Sequence, residues 1–418
     1  MEMTHVLCID LKSFYASVEC SLRGLDPFLV NLVVADKERG GGSIVLAVTP
    51  HLKKYGVASR CRIYELPTNL DIIFAKPRMQ KYIDFSCMIY DVYLKYVSVE
   101  DIHVYSIDEA FLDLSPYMNY YHQPIEEIAK SIIHDIFLKT KITATCGIGP
   151  NMFLAKVALD CLAKKSPNNI AYLNETTFKE KLWDLRPISE VWGIGFRIEK
   201  HLARMGIYCL RDLANYSLEK LQKTFGVIGQ ELYNHAHGID ETTVQAARNY
   251  IPESHSFGHG QALYEDYNRE DAKIILTEMV DELVTELIMR KKCCQLIGLG
   301  IGYSQKVGGG FGRQLSFDCK TNSRKIILDG FLSLYNKYTQ DFPIRRLNVR
   351  LGKITNEDFM QADMFEGIQK TQKEHDLYQA LGEIKNRFGR SAVYLAVSKS
   401  EKGTLIKRNT LIGGHNAE

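Results

Sequence analysis

A chain of 418 residues that is 45% hydrophobic and 24% charged has the make-up of a globular protein with several cores, which excludes a disordered, collagenous or low-complexity chain. No apolar run reaches the roughly 18 residues of a membrane span, and the first apolar stretch stops at Asp10, so neither a membrane segment nor a secretory leader is expected. Ten cysteines with no Cys-x-x-Cys pair suit a reduced cytoplasm better than a disulfide or zinc framework. The net charge of +2 hides an asymmetry: Leu287 to Lys353 holds thirteen basic and three acidic residues, while the part before it has a net charge of −8. A block of that sign is an electrostatic footprint for a polyanion or, more ordinarily, a solvated basic face.

In chain order, Val6–Ile9 is a short apolar run ending at Asp10, as a buried strand ends. A helix is expected from Ser13 to about Leu22. Residues 27–67, richer in Gly and basic residues, read as a small insertion, and Asp71–Ala75 as a strand. Apolar positions at Ile83, Met88, Ile89, Val92, Tyr93 and Tyr96 predict a helix over 80–97. Strands over 103–107 and 110–114 flank Asp108-Glu109. Ile125–Leu138 reads as a helix, 142–147 as a strand and 151–164 as a helix, an order that suits a sheet with helices packed on it. Leu182 to Gly238 reads as all-helical around Trp192-Gly193-Ile194-Gly195. Residues 256–353 read as βαββαβ. Its Leu296–Tyr303 strand alternates apolar residues with glycines, and its Ile344–Leu351 strand puts Arg346, Asn348 and Arg350 on one face. A tail follows, helical over 382–388.

Asp10 at a strand end and the Asp108-Glu109 pair between two strands are able to converge on one point. Convergent carboxylates repel and need a cation. An all-oxygen donor set without His or Cys favours Mg²⁺, and two such ions stabilise the attacking and leaving oxygens of a phosphoryl displacement. Acids at strand ends are more often simply solvated, and spacing alone leaves that reading open.

The run Asp10-Leu11-Lys12-Ser13-Phe14-Tyr15-Ala16-Ser17-Val18-Glu19, together with Tyr105-Ser106-Ile107-Asp108-Glu109-Ala110-Phe111-Leu112-Asp113, resembles the two catalytic motifs of Y-family translesion DNA polymerases. Cys146-Gly147-Ile148-Gly149 leading to Phe153-Leu154-Ala155-Lys156 is similar to the next motif. The ending Arg408 to His415 looks like that of the UmuC-like branch of Gram-positive bacteria. The resemblance covers essentially the whole chain. It implies an α/β (α+β) right-hand polymerase: a ferredoxin-like palm (1–27 and 70–165), small fingers (28–69), a helical thumb with a helix-hairpin-helix (166–245), a βαββαβ little finger (250–354) and a C-terminal tail (355–418).

By resemblance, Asp10, Asp108 and Glu109 hold two Mg²⁺ ions, with the carbonyl of Leu11 completing one shell, and carry nucleotidyl transfer. Tyr15 is the gate against a ribose 2′-hydroxyl. Phe14, Ser106, Lys156, Lys53 and Thr49 belong to the nucleotide site, Thr49-Pro50 as a helix start facing the triphosphate. Gly193 and Gly195 offer backbone amides to a DNA phosphate, and Arg345, Arg346 and Arg350 give salt-dependent backbone contacts. Gln361-Ala362-Asp363-Met364-Phe365 is similar to the peptide that binds the sliding clamp, through Gln361, Met364 and Phe365. The implied partners are primer-template DNA, deoxynucleoside triphosphate and the clamp. A recombinase filament and a small accessory subunit are further candidates, and the implied setting is an SOS-type damage response. Two other classes share parts of the pattern: a non-catalytic DNA- or clamp-binding subunit that kept the fold, against which the intact acids speak, and a palm-type cyclase, which has no use for a hairpin thumb.

Overall fold

The computed structural model describes residues 4–252, 256–357 and 368–418, so Gln361, Met364 and Phe365 lie outside the described residues. The chain forms two compact units, Met1–Tyr250 with His415–Glu418, and Ile251–Gly414. Cys8, Cys20, Cys146, Cys161, Cys209 and Cys294 are buried as thiols. No helix among the described residues is long and apolar enough to cross a membrane.

The strands of the first unit are β1 (Val6–Leu11), β2 (Leu32–Val34), β3 (Ala47–Val48), β4 (Ile73–Ala75), β5 (Ile102–Val104), β6 (Glu109–Asp113), β7 (Ala144–Gly149) and β8 (Ile170–Tyr172). The main sheet runs β5-β6-β1-β7-β8, and a small sheet β3-β2-β4 takes β2 and β3 from the expected insertion over 27–67 and β4 from the strand expected after it. β1 lies at the centre, antiparallel to both β6 and β7 and buried along its length except at Asp10. One face of the sheet takes helices Met79–Tyr93 and Ile125–Thr140. The other packs Val6, Cys8 and Phe111 on Met152, Ala155 and Leu159. Two glycines let that second helix close on β7: a Cβ on Gly147 would lie 2.1 Å from the Ala155 carbonyl oxygen, and one on Gly149 2.6 Å from the Ala155 nitrogen. The single helix expected over 151–164 is in fact an α-helix, Met152–Val157, continued by a π-helical turn, Ala158–Leu162. Helices from Glu175 to Ala236 then build a core of Phe178, Leu202, Leu210, Leu213, Leu221 and Leu232. Asn151 joins this bundle to the sheet, capping Leu154 N–H and donating to the Gly238 carbonyl (2.8 Å each).

The second unit is a four-stranded antiparallel sheet, β11-β10-β12-β9, from β9 (Phe257–Tyr267), β10 (Lys292–Tyr303), β11 (Gly310–Thr321) and β12 (Ile344–Gly352). Helices Arg269–Met289 and Arg324–Tyr338 cover one face, as the βαββαβ pattern implies. The tail is more structured than a short helix over 382–388: Ile368–Phe388 is one helix lying along Arg269–Met289. Tyr378 donates to Asp281 (2.5 Å), and the buried Glu278 accepts both Thr404 N–H and Leu405 N–H (3.1 Å each). Apolar contact and a buried carboxylate meeting chain amides hold this tail.

His259 on β9 lies between Glu282 (3.6 Å) and Glu286 (3.7 Å) of the first helix, and those two carboxylates raise its imidazole from the ordinary value of 6.5 to about 9. A cation whose folded pKa is raised adds stability fully below about 6.5 and loses it as pH climbs through about 9. Arg408 on Glu282 and Arg290 on Glu286 remain charged throughout. The thermal midpoint of this unit is therefore expected to fall between pH 6.5 and 9, and His259→Gln to flatten that slope. The exposure of the ring to solvent makes the effect modest and salt-sensitive. Calorimetry across that pH range checks it.

Candidate active site

The register of the palm sheet assembles the acids. Asp10 pairs directly with Glu109 across β1 and β6, so their side chains stand on the same face, and Leu11 N–H donates to the Asp108 carbonyl (3.0 Å). Ser106 donates to Asp108 Oδ1 (2.7 Å) and orients it. Burial first, then the nearby Asp108 and Glu109, push the Asp10 carboxyl up to about 6, against the pull of Lys164.

Cations crowd these acids. Lys156 Nζ lies 2.6 Å from Glu109 Oε1 and 2.9 Å from Asp160 Oδ2, with its side chain only 7% exposed. Cys8 Sγ donates to the same Glu109 oxygen (3.1 Å). Lys164, 38% exposed, lies 3.4 Å from Asp10 Oδ2 and 2.8 Å from Asp160 Oδ1. Lys53 also feels Asp10: burial lowers its pKa, opposed by Asp10 and reinforced by Lys164. Lys12, partly buried, feels Asp10 too and reaches Asn169.

Among the described residues no three of His, Cys, Asp or Glu stand close enough to hold a metal ion as they are placed. The donor set nevertheless fits a hard divalent cation. All of its groups are oxygens, and Asp10 and Glu109 stand on the same face with Asp108 beside them. Asp10, Asp108 and Glu109 would hold it once the Lys164 ammonium on Asp10 gives way.

Other expected contacts are redistributed. Tyr15 sits half-buried, stacked on Tyr82 with centroids 4.5 Å apart, and feels Asp108. Phe14 beside it is buried in the core, leaving only its backbone for a ligand. Thr49 does not face a phosphate as expected. It is 0% exposed, its hydroxyl donates to Val30 O (2.8 Å) and accepts from Leu32 N–H (3.2 Å), and the helix after it is the single turn Pro50–Lys53. Lys156 is engaged with Glu109 and Asp160, so the solvent-reachable lysine at the acids is Lys164, which sequence reasoning missed. The signal was a basic residue four positions past Asp160, in the short turn Ala163–Lys165 that follows the π turn.

Gly193 has φ +90° with open space around it, and Gly195 opens helix Phe196–Arg204, equally unobstructed. Trp192, just before Gly193, stacks toward His235 and donates to Tyr105 OH (3.2 Å). In the second unit Arg346, Asn348 and Arg350 stand exposed on the bare sheet face. Gly302, Gly300 and Gly298 flank them on one side, and Ala262, Gly260 and Gly258 on the other. Arg345 falls in an irregularity of the ladder and approaches Asp266 (3.5 Å), so it does not share that face.

A model of the impB/mucB/samB family matches residues 9–160, one of the DNA polymerase-iota thumb domain residues 190–240, and one of the impB/mucB/samB C-terminal domain residues 254–364. The chain is 37% identical to the putative UV-damage repair protein UvrX of Bacillus subtilis (strain 168), over 99% of this chain and 98% of that one. It is 34% identical to DNA polymerase IV 2 of the same organism, over 98% of each chain. Among solved structures, a Y-family DNA polymerase chimera of Dbh and Dpo4 superposes with a TM-score of 0.66 at 25% identity, over 84% of this chain and 99% of that one. The chain belongs to the Y family of DNA polymerases. As a Y-family polymerase it is a DNA-directed DNA polymerase, binds a DNA template and deoxynucleotides, and depends on divalent metal. Its helical thumb and C-terminal little finger are those of that family.

Proposed function

We propose that this polymerase performs low-fidelity translesion synthesis as part of an SOS-type damage response, with Asp10, Asp108 and Glu109 holding two Mg²⁺ ions and the Leu11 carbonyl contributing to one shell. The observation that carries the reading is the direct pairing of Asp10 with Glu109 on adjacent strands, with Asp108 next to them and basic side chains around. When bound, the ions supply charge neutralisation at the primer hydroxyl and at the triphosphate. The chain supplies position. Ser106 orients Asp108, and Lys53 and Lys164 offer charge to the triphosphate. Lys156 stays with Glu109. Tyr15 lies under the sugar and excludes a 2′-hydroxyl. Gly193 and Gly195 present open backbone amides to duplex phosphates, and Arg346 and Arg350, with Arg345 at the edge, add contacts that salt weakens.

Gln361, Met364 and Phe365 serve as the clamp tether. A recombinase filament or an accessory subunit is a further partner that no residue specifies. The test is extension of a primer by purified protein over an undamaged template and over one with an abasic site, with and without clamp. The expected result is template-dependent, Mg²⁺-requiring extension through the abasic site, stimulated by clamp. Extension that halts completely at the lesion under all conditions removes the translesion reading.

A further inference from the structure

Asp160 is a carboxylate that none of the steps above uses, yet it touches both lysines at the acids. Its Oδ2 lies 2.9 Å from Lys156 Nζ and its Oδ1 2.8 Å from Lys164 Nζ. Each of those ammonium groups also touches one of the metal-facing acids, Lys156 Glu109 at 2.6 Å and Lys164 Asp10 at 3.4 Å. Four residues separate Asp160 from each lysine, and the π-helical turn Ala158–Leu162 lies between them. Such turns admit one more residue than an α-helix and recur at functional positions. The arrangement is a five-member chain of alternating charge, Glu109–Lys156–Asp160–Lys164–Asp10, closed by the direct pairing of its two ends in the sheet.

We infer that Asp160 is a positioning residue that divides two ammonium groups between itself and the metal-facing acids, so that Lys164 leaves Asp10 for a cation without leaving the site. This rests on the metal reading of Asp10, Asp108 and Glu109. The two lysines differ in what they are free to do. Lys156 is almost wholly enclosed and remains on Glu109. Lys164 is more than a third exposed, and its bond to Asp160 is shorter than its bond to Asp10, so Asp160 keeps it when Asp10 turns to a cation. Without Asp160, Asp10 is the acidic partner left to Lys164 among the described residues, and Lys164 competes with the incoming ion.

The test is binding of Mn²⁺ to the full chain without DNA, read as free Mn²⁺ by electron paramagnetic resonance. Asp160→Asn is expected to raise the Mn²⁺ dissociation constant about five- to tenfold, a differential interaction of roughly one pKa unit's worth. Asp160→Glu should restore it to within about twofold, and Lys164→Ala should tighten binding. The Asp160→Asn/Lys164→Ala double variant should match Lys164→Ala, because the loss acts through that ammonium. A merely structural or long-range role for Asp160 predicts the same weakening in both backgrounds, and that result overturns the inference, as does unchanged binding in Asp160→Asn. Asp108→Ala serves as the control. If it leaves Mn²⁺ binding intact, the metal reading itself fails. If it abolishes binding while Asp160→Asn behaves as wild type, only the role of Asp160 fails.

Discussion

Asp108→Ala should lower primer extension by about 10³-fold or more while leaving the protein at least as stable as before. The Asp108 side chain is only partly buried and is oriented by the Ser106 hydroxyl at 2.7 Å. It adds like charge next to Asp10, whose carboxyl is already pushed up to about 6. Removing it relieves repulsion and opens no cavity in the core, so the thermal midpoint should hold or rise. Catalysis loses a group aimed at the cation, and with it charge neutralisation in the transition state. Ser106→Ala removes only the orienting hydrogen bond, worth about 1 kcal/mol, and should slow extension several-fold at most. Single-turnover extension beside calorimetry separates the two effects. Extension by Asp108→Ala at the wild-type rate would mean that the acids are not the catalytic group.

Why the acids were legible and their lysine partners were not follows from what each depends on. Asp10 ends an apolar run and Asp108-Glu109 breaks another, and strand ends are visible in the alternation of burial. The pairing of β1 with β6 then follows from burying both. The glycines of β10 and the arginines of β12 were equally plain, because a period of two writes one sheet face into the sequence. Lys164 was hidden because spacing does not tell which lysine is enclosed: both stand four residues from Asp160, and only the packing leaves Lys156 buried and Lys164 more than a third exposed. Arg345 sits at an irregularity of the strand that only the ladder reveals. Thr49 has the signature of a helix start, and it does precede one, but its hydroxyl is claimed by Val30 and Leu32 across the small sheet, a tertiary contact with no local trace. The tail helix docks through Tyr378 on Asp281, a pair nearly a hundred residues apart.

Sugar selection should depend on two tyrosines, of which the motif names one. Tyr15→Ala is expected to reduce discrimination between dCTP and CTP by on the order of 10²-fold, since the gate role proposed for Tyr15 puts its ring against the sugar. The ring of Tyr15 does not hold its place alone. Tyr82 stacks on it at 4.5 Å with planes 19° apart, and the Tyr82 hydroxyl donates to Glu19 Oε1 (2.9 Å). Glu19, with 0% of its side chain exposed, is gripped by the Arg78 guanidinium through two bonds, 3.0 and 2.7 Å, and by Arg23. Burial works against the charge of Glu19, and the hydrogen bonds from Arg78, Arg23 and Tyr82 outweigh it, holding the carboxyl below its ordinary range. The anchor therefore stays ionised at neutral pH. Tyr82→Ala, which removes the backing ring, should lower discrimination about tenfold with Tyr15 intact. Tyr82→Phe keeps the stack and should leave selectivity within about threefold, but it takes a donor from a buried carboxylate and should cost about 1–3 kcal/mol of stability. Single-nucleotide incorporation with dCTP and CTP, paired with urea unfolding, resolves the three variants. Equal selectivity in Tyr82→Ala and wild type would show that Tyr15 is held by the sheet and helix around it and needs no ring behind it.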